Sequence, residues 1–289
     1  MGVVGTPIAV GTPSVLGSSP IVIPPMARLS SLVLMDDRYF PQTGFRVNLN
    51  PIWDFFQKRG GVRAFGYPIS WEMPFMGFKV QMFQRAILQV TPSGSVVAMN
   101  LMDDGLMPYT QLNGSSFPRV EKVLKETAPT PADPEYAQKA LAFIEAYVPD
   151  QWEDTQVNFL SAYMGTVRYE DAFPNGEEDA SLVPLLNLEL WGLPTSRPVR
   201  DPGNEGFVYQ RFQRGILHHD TTTGATQGLL LADYMKSIIT GESLPRDLDA
   251  QARTSRFYKQ LDPAKPGHLA RPADLVGTNL EDAFTRVLE

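Results

Sequence analysis

No cysteine occurs in the 289 residues, which excludes disulfides, thiolate metal sites and cysteine nucleophiles. Histidine is nearly as scarce. His218, His219 and His268 are too few for a histidine-rich zinc centre. Charged residues make up only 20% of the chain and leave a formal net charge of −7, which argues against a non-specific nucleic-acid binder, since that needs a basic face to displace counterions. No apolar run reaches the roughly 18 residues that would span a bilayer. A G-x-S-x-G elbow is missing, and Ser70 and Ser196 stand in turn-like stretches without a neighbouring histidine. Phosphate-binding glycine spacing is missing too: Gly60-Gly61 leads into a turn, not a helix. Nothing in the sequence calls for a cofactor or a resident metal.

What is present is an internal repeat, which governs how the rest is read. Gln81-Met82-Phe83-Gln84-Arg85-Ala86-Ile87-Leu88 returns as Gln210-Arg211-Phe212-Gln213-Arg214-Gly215-Ile216-Leu217. Ahead of each lies an aromatic-G-x-P-x-S stretch, Phe65 to Ser70 and Trp191 to Ser196. Behind each comes a turn, Pro92-Ser93-Gly94 and Thr222-Thr223-Gly224. Alternating apolar and polar residues before those turns predict antiparallel hairpins, with Phe83 and Phe212 on the buried face. The same alternation sends Gln and Arg to the other face, where each Arg is expected to meet a carboxylate of its own unit or a ligand.

Pro51, Ile52, Phe55 and Phe56, ended by the Gly60-Gly61 pair, predict a short helix. Pro134 through Tyr147 predicts a second, and Gln227 to Ile239 a third. The expected fold class is α+β: two duplicated units, each a short helix plus a small antiparallel sheet, with additional helices. Residues 1–30, rich in Gly, Pro, Ser, Thr and Val, read as an extended tail like the linker after a removed signal or anchor. Residues 31–112 make the first unit, 113–135 a proline-rich linker, 136–240 the second unit and 241–289 a wrapping segment. Val47 to Phe65 is 18 residues and Val157 to Trp191 is 34, so the second unit carries 16 more. We place that surplus at residues 168–179 as an acidic surface loop.

Leu190-Trp191-Gly192-Leu193-Pro194-Thr195-Ser196, the Phe212 to Leu217 strand and Thr223-Gly224-Ala225 together resemble the LGFP repeat. The first copy, with Ala86 for the glycine and Pro92-Ser93-Gly94 for the T-G-A turn, is closer to the F-G-Y-P and V-Q-x-F-x-R repeats of predicted secreted proteins of filamentous thermophilic bacteria. The resemblance covers roughly residues 39–105 and 157–240. It implies an extracellular or envelope-associated module, non-catalytic, holding cell-wall glycan or peptidoglycan and displaying a partner such as another surface protein. Two alternatives stay open: a polysaccharide hydrolase with its site in the second unit, and a structural surface-assembly protein.

The ligand residues expected on that reading are Trp191, Tyr209, Arg214, His218, His219, Asp220, Glu177 and Asp179. Aromatic rings stack on sugars, and imidazole, guanidinium and carboxylate groups bond their hydroxyls. His218-His219-Asp220 is also the one place where imidazoles and an acid meet, the raw material of a general base. Neighbouring strand residues point to opposite faces, however, and so favour an ordinary hairpin end. The acidic stretch around Glu177 lacks calcium-loop spacing and reads as solvated.

Overall fold

A computed structural model describes residues 36–176, 179–261, 280 and 282–286. The class is α+β, with small antiparallel sheets and additional helices. In the first unit, strands β1 (Tyr39–Phe40) and β2 (Phe45–Arg46) form a hairpin that leads into helix α1 (Asn50–Lys58). Pro51 occupies the first turn of α1, and Ile52 and Phe56 are its buried stripe. Helix α2 (Gly61–Phe65) follows, where a turn was expected after Gly60-Gly61, then a sheet in simple order: β3 (Met73–Phe75), β4 (Phe78–Met82), β5 (Ile87–Val90) and β6 (Val96–Ala98).

Residues 113–135, expected as a linker, are packed instead. Strands β7 (Gln111–Leu112) and β8 (Ser115–Ser116) and helix α3 (Lys122–Thr127) fall in or beside this stretch. Phe117 and Leu124 are buried, and the Glu121 N–H donates to the Thr195 carbonyl at 2.8 Å. Two apolar anchors suffice to hold a proline-rich segment down, and composition alone does not register them. Helix α4 (Tyr136–Tyr147) comes next, buried through Ala140 and Ile144.

The second unit also opens on a two-stranded hairpin and ends on a four-stranded sheet, with more helix between them. Hairpin β9 (Gln151–Trp152) and β10 (Thr155–Gln156) precedes helix α5 (Phe159–Met164). Helix α6 (Tyr169–Ala172) and a 3-10 turn (Ala180–Leu182) then occupy the surplus residues, and α7 (Val183–Trp191) ends at Gly192. Its sheet is again in simple order: β11 (Val199–Asp201), β12 (Asn204–Arg211), β13 (Ile216–Asp220) and β14 (Ala225–Gly228). Helices α8 (Leu231–Thr240) and α9 (Arg246–Ala252) are the last helices among the described residues. The third predicted helix thus begins later than expected, because Gln227 and Gly228 finish strand β14.

Each sheet packs one face on its own helices. Phe83 and Leu88 lie with Ile52, Phe56 and Phe65, whereas Phe212 and Leu217 lie with Phe159, Tyr163 and Leu188. A third, shared core is built from Val80, Met82 and Ile87 of the first sheet and Tyr209 and Ile216 of the second, around Met235, Ile238 and Ile239 of α8. The described residues from Arg38 onward form one compact unit rather than separable domains. The tail at 1–30 lies outside the described residues.

Candidate functional site

The repeated motif is the tip of a hairpin. The Phe83 N–H bonds the Ala86 carbonyl at 2.8 Å, so Gln84-Arg85 are the two tip residues, and Phe212 with Gly215 does the same for Gln213-Arg214. Each tip folds back on the G-x-P turn of its own unit. Gln84 exchanges bonds with Tyr67 through its N–H and its Oε1, both at 3.0 Å, as Gln213 does with Leu193 at the same distances. Gly66 and Gly192 hold φ of +74° and +68°, and a Cβ on either would come within 2.7 Å of the glutamine side chain. Glycine is therefore required twice over, by conformation and by close approach. Ser70 and Ser196 accept from the strand N–H groups of Met82 and Arg211 at 2.9 and 3.0 Å. Buried Gln81 and Gln210 donate to the Ser70 and Ser196 carbonyls at 2.9 and 3.1 Å. Most motif residues thus serve the turn, which explains why they recur.

The arginines depart from expectation. Instead of carboxylates they meet backbone carbonyls. Arg214 stays within its unit and donates to Leu188 O at 3.4 Å. Arg85 crosses to the other sheet, donating from Nε to Gly228 O at 3.2 Å and from one terminal nitrogen to Val62 O at 3.5 Å. The Gln84 carbonyl crosses as well, accepting from the first free N–H groups of α8, Ala232 and Asp233, at 3.0 and 3.2 Å. The first tip is therefore wedged into the seam between the sheets.

Three clefts open around this tip. The first, about 560 Å³, is walled by Tyr67, Gln84 and Arg85 from one unit and by Thr166, Trp191 and Gln227 from the other. Arg63 and Arg168 also line it. The second, about 460 Å³, lies beyond Arg85 and includes His218, Asp233 and Tyr234. The third, about 540 Å³, shares Gln84 and Asp233 and holds Lys236, Phe45 and Arg286. Burial raises the pKa of Asp233, while Lys236, Arg85 and a hydrogen bond to Gln84 oppose the rise. Burial lowers that of Arg85 against the attraction of Asp233. Among the described residues no cluster of three His, Asp or Glu side chains is suited to hold a metal ion.

The expected ligand residues do not converge on one surface. Tyr209 is buried, edge-on to Phe117 at 4.8 Å, with its hydroxyl bonded to Ser115 Oγ at 3.0 Å. His219 is buried in the hairpin, its Nδ1 2.9 Å from Thr226 Oγ1. That hydroxyl spends its proton on the Val157 carbonyl at 2.6 Å, so His219 Nδ1 must be the donor. Asp220 closes its own turn by accepting from Thr222 N–H and Thr223 Oγ1 at 2.8 and 2.9 Å, which holds its pKa low. Asp179 caps the 3-10 turn through Ser181 N–H at 2.8 Å, and Glu177 lies outside the described residues. The surplus stretch is not a free loop, since Ala172 is buried and Asp171 pairs with Arg63 of the first unit.

Two expected residues do reach the clefts. Trp191 lines the first, with Nε1 donating to Thr166 Oγ1 at 2.9 Å. Its ring passes 2.7 Å from the points where Cβ atoms on Gly215 and Gly228 would stand. The glycine of the second motif is thus room for a tryptophan, and the first copy, with Phe65 in that place, carries Ala86. His218 lines the second cleft, and burial depresses its pKa. Its Nδ1 is buried without a partner among the described residues. Arg85, Gln84 and Asp233 were the residues missed as a site. The repeat drew attention to the first two, but which copy crosses the seam is a tertiary fact.

Compared with protein-family models, curated proteins and solved structures, the chain finds no match.

Proposed function

We propose that this chain is a non-catalytic module that binds envelope glycan or glycopeptide in the first cleft and thereby tethers or displays a partner. The observation that carries the reading is the makeup of that cleft. Two ring-bearing residues, Tyr67 and Trp191, share its wall with the amides of Gln84 and Gln227 and the hydroxyl of Thr166. Rings offer apolar faces to a sugar, and amides supply paired donors and acceptors for its hydroxyls. No carboxylate is among the described residues that wall it, and a glycosidase would need an acid–base pair of them there. The envelope setting rests on the motif resemblance and belongs to the proposal.

The test is sedimentation with purified cell wall. Tyr67→Ala combined with Gln227→Ala should lower retention about tenfold, the scale of a few lost hydrogen bonds and a ring contact. Asp220→Ala should leave retention unchanged, because that carboxylate is spent on its own turn. Release of soluble sugar by the purified protein would overturn the binding reading in favour of a hydrolase.

A further inference from the structure

We infer that the ligand of the first cleft is an acidic glycan whose anionic group sits on Arg85, in a wall that also holds Arg63 and Arg168; this rests on the binding reading above and narrows it. The chain carries a net charge of −7, yet the described residues that wall this cleft include three arginines and no Asp or Glu. Acids bond or pair with several of the wall residues, as Asp150 does by accepting from Ser161 N–H and Oγ at 2.8 and 2.6 Å. Asp171 pairs with Arg63, and Glu170 lies 3.9 Å from Arg168. That leaves Arg85 as the arginine of this wall with no ion pair among the described residues, and an unpaired cation draws anions.

Arg85 is the centre of this field for a structural reason. Its guanidinium has five N–H groups, and the two described bonds spend only two of them, both on neutral carbonyls. Neither of those acceptors carries charge, so they do not fully replace the water lost on burial. A partly desolvated cation with donors to spare is what a planar anion completes, through the paired bonds that carboxylates and phosphates accept from arginine. Asp233 attracts Arg85 from the neighbouring cleft and is not among the described residues that line this one. The second copy makes the contrast. Arg214 holds the same motif position but lines a void of about 30 Å³, too small for a sugar. The anion seat is thus the first copy's, and Gln84 and Gln227 flank it with neutral groups suited to sugar hydroxyls.

Calorimetric titration of the full chain tests this, using an oligogalacturonide, a neutral malto-oligosaccharide and poly(glycerol phosphate). The oligogalacturonide should bind and the neutral oligomer should not, with affinity falling as salt rises. Arg85→Gln should weaken binding about tenfold or more, as loss of a charge-assisted bond does. Because Arg85 also braces the seam, exposed Arg168→Gln provides a second reading and should weaken binding about threefold with an unchanged melting curve. Arg197→Gln, whose partner Glu121 lies outside the cleft, should change nothing. Preference for poly(glycerol phosphate) over the uronide would uphold the anion seat and make phosphate its group. Equal binding of the neutral oligomer, unaffected by Arg85→Gln and Arg168→Gln, would overturn the acidic ligand but leave a glycan module standing. No binding to any of the three, nor to cell wall, would remove both.

Discussion

Lys236 on α8 donates to the Ile69 carbonyl at 2.8 Å and lies 5.1 and 5.2 Å from the ring centroids of Phe45 and Phe284. Burial, with Arg286 adding to it, lowers its pKa to about 8 from an ordinary 10.5, against the pull of Asp233 and Glu242. Between those two values the unfolded chain holds more protons than the folded one, so this lysine makes stability rise with pH across that window. Below it both states are protonated and the contribution is flat. The advantage of the wild type over Lys236→Met should therefore grow from pH 8 to 10.5, read as the difference between their urea midpoints. A constant difference would show that the two rings stabilise the ammonium enough to cancel the cost of its burial.

At the scale of elements, the two hairpin tips and the turns beneath them are the most constrained parts of the chain. Phe212 is fully buried among Tyr163, Trp191 and Leu188, so Phe212→Ala should cost about 3–5 kcal/mol in chemical denaturation. Gly192→Ala meets both a positive φ and a Cβ 2.5 Å from Gln213 Oε1. It should cost at least 1–3 kcal/mol, whereas Gly94→Ala, also at positive φ but with open space around it, should cost about 1 kcal/mol.

These same elements mark how far the sequence could be read. Helix α1 was legible because Pro51, Ile52 and Phe56 signal its start and its face locally, and the β4–β5 and β12–β13 hairpins because alternation is local too. The β9–β10 hairpin was not, since two-residue strands have no period. Helix α7 was hidden in Val-Pro-Leu-Leu-Asn-Leu-Glu-Leu-Trp, which is apolar on nearly every side. Its Asn187 is buried, accepting from Val167 N–H at 2.7 Å and donating to Met164 O at 2.9 Å, contacts that no window around it contains. The site was least legible of all. Trp191 and His218 were found by residue type, but Arg85 becomes a site only when Gly228 and Thr166 arrive from the other unit.

Across the whole molecule, the shared core ties both sheets to α8, and Arg211 adds a bond from the second sheet to Met102 O at 2.6 Å. Residues 282–286 join it: the Trp71 N–H donates to Ala283 O at 2.9 Å and its Nε1 to Thr285 O at 2.7 Å. Ala283 is buried, so Ala283→Asp should lower stability by about 2–4 kcal/mol and shift tryptophan emission to the red as Trp71 meets water. Because the core is common, urea unfolding should follow one transition by fluorescence and by circular dichroism, rather than one per unit.

The Gln84 carbonyl that receives the Ala232 and Asp233 N–H groups also sets an order of events in time. The first turn of α8 has no side-chain cap of its own, so its donors wait for the tip of the first sheet to be in place. That contact closes a loop containing the whole of the second sheet, which makes it entropically late. Folding would then begin with two locally formed hairpins and end when α8 settles on the first of them. The seam, and with it the cleft, is the last part of the molecule to exist.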